Sequence, residues 1–447
     1  MDLAPGMRGR AERRPPRPLR RPTRPRASVP PEVFHNRGRR GVGGPEARGT
    51  LVVMRANTLR LRSPADVVAA IPYLVGFHPT DSVVVLCCGG VDGTYAIRLD
   101  LTASDALLDH VTDLITRRRP AEVILAGYGP GARVTPVVER VGDRLARDGV
   151  RLREVMRVED DRYWSYLCTD PACCPPEGTF VDVRASAVAA AAIAGGLVAL
   201  PDRDELARMI APIGGEVTRQ ATLRAECRLA SWAEAAATET AQNRTGSAVH
   251  DHGGREGNAT HAPGPAGGVG PCPAGPAAPG SAGSAVSGAG GQAGAGGRAG
   301  VGGGGLSRRV AGEGVRLVRL LIERARAGGA PPTDEEVAWL GVLMVNLRVR
   351  DEAWVRIDDG EIGAHIGLWR DVVRRVAEPY LAGPACLLAF AAWRAGEGAL
   401  ANLALDRALA ADPHYSMARL LHELFVSGLP PWSVPLDITP EQLDEAS

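Results

Sequence analysis

The densest chemistry in this chain is the run DRYWSYLCTDPACCPPEGTF, Asp161 to Phe180, which puts Cys168, Cys173 and Cys174 within seven residues. Thiolates bind soft metal ions, attack electrophiles and form disulfides. Structural zinc usually takes four ligands in two spaced pairs, and adjacent cysteines suit one tetrahedral ion poorly. Three readings therefore stay open. Cys173 and Cys174 pack beneath a sheet while Pro171, Pro175 and Pro176 fix the loop; or Cys168 pairs with Cys173 or Cys174 in redox chemistry; or the three bind a metal, with Cys87, Cys88 or His78 brought close by the fold. A catalytic thiol also needs a base, for which His78 and His110 lie in the same stretch of chain.

A second candidate is the glycine-rich run GYGPGA, in which Gly127, Gly129 and Gly131 follow an apolar segment and precede a helical pattern. Such a strand-to-helix turn can offer backbone N–H groups to a phosphate. The run fits only the looser G-x-G-x-x-A form, and Pro130 removes one donor. The alternative is that the glycines simply make a tight turn. With His78 and Asp100, which border the neighbouring strands, these glycines form the candidate ligand-binding set.

The elements that must position these residues read as an α/β layer. Ser63 caps a helix with Pro64 at its first position and Asp66 near the positive end of the dipole, and Pro72 is expected to end or kink it near Ile71. SVVVLCC, Ser82 to Cys88, is apolar without alternation, as a strand covered on both faces requires. Gly89, Gly90 and Gly93 turn the chain into a returning strand with Tyr95, Ile97 and Leu99 on one side and Arg98 and Asp100 on the other. A helix from Ser104, a buried strand at Ala121–Gly129, a helix over Val134–Asp148 and a strand over Val150–Val158 follow. This alternation predicts a mixed, partly parallel sheet with flanking helices. Tyr163, Trp164 and Tyr166 are expected on an edge strand leading into the cysteine loop. The uncharged run Ala185–Leu200 holds Gly195 and Gly196 and falls short of a membrane span, so a buried helix is expected there.

Beyond a long helix over Thr218–Gln242, residues 243–306 are dominated by Gly, Ala, Pro and Ser and cannot bury enough apolar surface to order themselves. Helices resume at Ser307, with Thr333 and Glu336 forming a capping box. The pair Tyr380–Ala395 and Gly398–Ala411 resembles a tetratricopeptide unit, which points to a compact all-α domain with one repeat-like helical hairpin and a docking surface for a protein partner. Asp351, Glu352, Asp358 and Asp359 beside Trp354 could serve acid/base chemistry or a divalent ion, or form a solvated helix face.

Composition removes several classes. All 52 basic side chains are arginine, so a P-loop lysine, a Schiff-base lysine and a protein-kinase lysine are excluded. Residues 1–50 hold 13 arginines against four acids, so the remaining chain carries about −8 and offers no general basic face for nucleic acid. Only the basic arm could supply one. That arm has no apolar core for a signal peptide, and Met54 lies just ahead of the first patterned segment, which makes it a candidate true start.

The segments from Ser63 through Pro79 to Val84 with RLDL, Trp164 to Gly178 (WSYLCTDPACCPPEG) and Ala391 to Pro413 (AAWRAGEGALANLALDRALAADP) occur in the order of an actinobacterial family of uncharacterised proteins, the domain-of-unknown-function family numbered 4192. The chain resembles that family from about Leu59 to Pro430. The resemblance implies no activity or cofactor. The expected map is a tail over 1–53, an α/β domain over 54–242, a linker over 243–306, a helical domain over 307–430 and a tail over 431–447, in a cytoplasmic protein with reduced thiols. Its expected role is binding a ligand or partner, the alternative being a thiol-dependent or metal-assisted enzyme using the Cys168 loop.

Overall fold

The computed structural model describes residues 51–54, 57–90, 93–248, 303–434 and 439–445. Most of the tail expected over 1–53 and of the linker expected over 243–306 lies outside the described residues; where they are described, residues 51–53 form part of a strand and residues 243–248 and 303–306 are helical, not disordered. Two compact units are present. One takes in the chain up to Met209 with Gly396–Leu400 and Glu423–Val434, and the other takes in Ile210–Ala395, Ala401–His422 and the chain from Pro435.

The first unit is built on a six-stranded sheet. A separate antiparallel hairpin, β1 (Leu51–Met54) and β2 (Asn57–Arg60), precedes it. Helix α1 (Pro64–Val75) starts at Ser63, whose side chain accepts the Asp66 N–H while the Asp66 carboxylate accepts the Ser63 N–H, a capping box with aspartate in the acidic position. The helix passes through Pro72 and ends at Gly76 in the left-handed region at φ 88°, so it does not end near Ile71. Val67 to Pro72 are buried without a break, so packing on both sides holds the turn that proline would weaken alone.

Strands β3 (Ser82–Cys88), β4 (Tyr95–Asp100), β5 (Glu122–Tyr128), β6 (Leu152–Glu159), β7 (Arg162–Ser165) and β8 (Thr179–Phe180) stand in the order β4-β3-β5-β6-β7-β8. The β5–β6 pair is parallel and every other pair is antiparallel, giving a mixed sheet. All residues of β3 and β5 are buried, as their unbroken apolar runs require. Helix α1 and α4 (Ala187–Ala194) cover one face over Val84, Leu86, Cys88, Ile124 and Met156. Helices α2 (Asp105–Arg118) and α3 (Gly131–Arg147) cover the other over Val83, Val85, Cys87, Val123 and Val155. Two sequence expectations need correcting here. Strand β7 is interior, because the chain returns from the cysteine loop to add β8 outside it. The run Ala185–Leu200 forms only an eight-residue helix with one buried side, and leaves Ile193 60% and Val198 67% exposed.

The first unit also holds the short helix α5 (Arg203–Arg208), and the second unit is helical: α6 (Glu216–Ala248), α7 (Gly303–Arg326), α8 (Asp334–Leu343), α9 (Leu347–Val355), α10 (Ile362–Arg375), α11 (Ala382–Ala395) and α14 (Pro440–Glu445), with most of α12 (Gly398–Ala411) and α13 (Ser416–Val426). Thr333 and Glu336 form the expected capping box on α8. Trp232 meets Trp339 edge to face at 5.2 Å, and the Arg228 guanidinium lies over the Trp339 ring at 4.2 Å.

Of the four clustered acids, Asp358 and Asp359 are exposed and Asp351 is half-buried, but Glu352 is not on a solvated face. The Glu352 side chain is fully buried and bonded by Arg319 at 2.6 Å, Arg348 at 2.7 Å and Arg356. Burial alone would push its carboxyl up, but the three guanidiniums overcome that and hold it at about 2. A folded-state value below the ordinary 4.5 means that this stabilisation is complete above about pH 4.5 and disappears as pH falls through about 2. Replacing Glu352 by alanine strands three partly buried cations and is expected to cost about 3–5 kcal/mol in denaturant unfolding at neutral pH, with the loss shrinking towards pH 2.

Candidate functional site

The cysteine loop leaves β7 through Ser165, whose hydroxyl donates to Glu154 at 2.7 Å while accepting the N–H groups of Leu167 and Cys168. The chain then turns on Asp170. Its carboxylate accepts the Ala172 N–H, and its carbonyl accepts the N–H groups of both Cys173, at 3.1 Å, and Cys174, at 2.7 Å. That double acceptance curls two adjacent cysteines back towards Cys168, and the three Sγ atoms lie within 4.8 Å of one another. Among the described residues no His, Asp or Glu joins them. Cys87 and Cys88 are buried in β3, and His78 follows α1; neither is part of the cluster.

The return of the loop is clamped as firmly as its exit. The Trp164 indole donates to the Pro176 carbonyl at 3.0 Å, and Arg162 donates to the Gly178 carbonyl at 2.8 Å. Gly178 is needed twice over: its φ is 84°, and a Cβ there would stand 2.5 Å from the Trp164 ring. The indole also carries the Arg157 guanidinium, 3.7 Å from a Trp164 ring centroid and paired with Glu159 at 2.9 Å.

The three thiols are electrostatically unequal. Cys168 is pulled below the ordinary thiol value, first because its sulfur accepts the Asp170 backbone N–H and then because Cys174 bonds to it. Cys174 is pushed up, first by burial and then by its thiol neighbours. Burial in β3 pushes Cys87 up to about 12 and raises Cys88 as well. The cluster is partly exposed, with Cys173 the most open, so the expectation that Cys173 and Cys174 pack beneath the sheet does not describe it.

The glycine-rich turn has a packing role. A Cβ on Gly127 would stand 2.3 Å from Val134 Cγ1 and 2.7 Å from Val138 Cγ2, so the missing side chain lets α3 lie directly on β5. Gly129, at φ 124°, donates its N–H to the Val158 carbonyl. Gly131 opens α3 with the Arg157 guanidinium 2.4 Å from where its Cβ would be, and Pro130 supplies no side-chain cap. Asp100 ends β4 and accepts from Arg98 at 2.8 Å. His78 donates its backbone N–H to the Leu200 carbonyl, and partial burial followed by the nearby Arg184 lowers its imidazole below the ordinary value. Gly127 serves the α3 face of the sheet, whereas the strand register puts Asp100 on the α1 face with Ser82 and Tyr128. The five residues therefore do not line one surface. Sequence reasoning missed Arg157 and Trp164 as a clamp, and Ser82, Arg98 and Tyr128 as a group; the alternation of Arg98 and Asp100 with apolar residues was their visible trace.

Two outcomes follow from these contacts. Limited alkylation at neutral pH under reducing conditions, read by peptide mass spectrometry, should modify Cys168 before Cys174 and leave Cys87 and Cys88 unmodified until the protein unfolds. Gly127→Ala should cost about 1–3 kcal/mol in thermal or denaturant unfolding, because α3 must move off β5 to admit the methyl group.

The protein sequence matches the family described as Domain of unknown function (DUF4192) over residues 64–261 and 274–432. No curated protein and no solved structure matches the chain. The matched stretches take in the strands that carry the sheet, the three-cysteine loop and the helices that follow, and on that coverage the chain belongs to the DUF4192 family.

Proposed function

We propose that the protein is a binding module for a thiophilic metal ion, held by Cys168, Cys173 and Cys174 at the margin of the α/β unit. The observation that carries this is the convergence of all three Sγ atoms within 4.8 Å. A disulfide needs two sulfurs; three turned to one point match a coordination sphere. Metal–thiolate bonds of about 2.3 Å place sulfurs roughly 3.8–4 Å apart, so small side-chain rotations would bring the three onto one ion. Three thiolates suit zinc with a fourth position for water or a further ligand, and equally suit three-coordinate copper(I). The Asp170 N–H directed at the Cys168 sulfur favours the thiolate form that a metal ion would take.

The alternative, a thiol-dependent enzyme with Cys168 as nucleophile and Cys174 as resolving thiol, draws on the same lowered Cys168 value. A cytoplasmic, reducing setting suits both readings. Among the described residues no helix is long and apolar enough to cross a membrane. A protein partner at the C-terminal helices rests on the tetratricopeptide-like sequence of the α11–α12 pair.

The deciding measurement is cobalt(II) titration of the full chain, reduced and metal-free, followed by zinc displacement and a free-thiol count. One equivalent per chain is expected, with sulfur-to-cobalt charge-transfer absorption that Cys168→Ser and Cys174→Ser each abolish. Affinity should fall as pH falls, because protons compete for the thiolates. If no ion is retained and mild oxidation instead removes two thiols as one disulfide, the redox reading replaces this one.

A further inference from the structure

We infer that the first unit holds a small oxyanion, a carboxylate or phosphate group, at the end of the sheet where Ser82, Tyr128 and Arg98 share the α1 face, a site independent of the cysteine loop. Antiparallel register pairs Ser82 with Asp100 on one side and with Tyr128 on the other. Paired residues project from the same face, so the three side chains form one row across β4, β3 and β5, spanning about 10 Å at the usual strand spacing. Arg98, two residues before Asp100 and paired with Val84, projects from that face as well.

Three polar atoms in this group are buried without a hydrogen-bond partner among the described residues: Ser82 Oγ, Tyr128 Oη and Arg98 Nε. Ser82 is 0% exposed and Tyr128 7%. Buried polar groups are almost always bonded, and each exception needs a reason. Three exceptions on one face and one end of a sheet need a shared one. They lie where the parallel pair β5–β6 ends, the edge at which open α/β sheets take ligands.

The chemistry of the three atoms selects the ligand. Arg98 Nε can only donate, and both hydroxyls can donate as well. Burial raises the Tyr128 phenol, so it stays protonated. Two hydroxyls and one guanidinium N–H, all unpartnered on one face at one end of the sheet, suit an oxyanion. The remainder of the Arg98 fork is already fixed: Nη2 bonds Asp100 at 2.8 Å and the Thr80 carbonyl at 3.5 Å, and the guanidinium lies 5.5 Å from the Phe77 ring centroid. Asp100 lies on the same face, and its charge is taken up by Arg98. Asp81, also close to β3, is engaged with Arg133.

The test is thermal unfolding and calorimetric titration of the full chain with inorganic phosphate and, separately, with acetate, against sodium chloride at matched ionic strength. At least one of the two ions should raise Tm. Ser82→Ala and Tyr128→Phe remove hydroxyls that have no partner in the free protein, so each should keep or raise Tm without ligand. Each should also weaken ion binding by about tenfold, the worth of roughly one hydrogen bond to a charged group. Arg98→Gln should weaken it further. The inference is overturned if neither ion shifts Tm beyond chloride, if the shift survives in Ser82→Ala and Tyr128→Phe, or if those variants lose stability without ligand, since the hydroxyls would then serve packing alone.

Discussion

The architecture of the α/β unit depends on β3 and β5 being buried on both faces. A strand with no exposed residue cannot sit at a margin, so helices must cover both sides and every ladder group must be paired. The chain meets this with α1 and α4 on one face and α2 and α3 on the other. The demand reaches individual atoms. Gly127 has no side chain because α3 runs directly over it, and Gly129 turns the chain at the strand end while keeping a ladder-like bond to Val158.

A chain whose basic residues are all arginine solves buried charge in a characteristic way. Guanidinium offers several donors in a fixed plane and does not lose its charge on burial. Glu352 is enclosed by three such groups, and Glu122 on β5, 3% exposed, is bonded by Arg153 at 2.8 Å. The same chemistry lets Arg157 lie over Trp164 while still bonding Glu159. Through that stack the end of β6, the start of α3 and the return of the cysteine loop share one side chain. The loop is thereby pinned at its exit by Ser165, at its bend by Asp170 and at its return by Trp164, and a pinned loop can keep three thiols close without a disulfide.

The two candidate sites differ in what defines them. The thiol cluster is local, formed by seven consecutive residues and a single turn on Asp170. The oxyanion site is nonlocal: Ser82, Arg98 and Tyr128 come from three strands and share only a register and a face. The glycines between them, which look most like a ligand loop in the sequence, are accounted for by helix packing.

The sequence by itself determined the succession of strands and helices from α1 to β6, the Ser63 and Thr333 caps, the covered strands β3 and β5 and the helical second half, because apolar periodicity and capping chemistry are local properties of the chain. It also singled out the three cysteines, whose spacing is visible without a fold. Tertiary structure decided the rest. Pro72 stays within α1 because packing outweighs local preference, β7 is interior because the chain returns as β8, and Glu352 is buried because arginines from α7 and α9 close around it. Whether adjacent cysteines come close to a third or diverge depends on two backbone hydrogen bonds to one carbonyl, and whether hydroxyls on separate strands share a face depends on register. Neither is written in residue spacing, since both are relations between segments that only folding brings together.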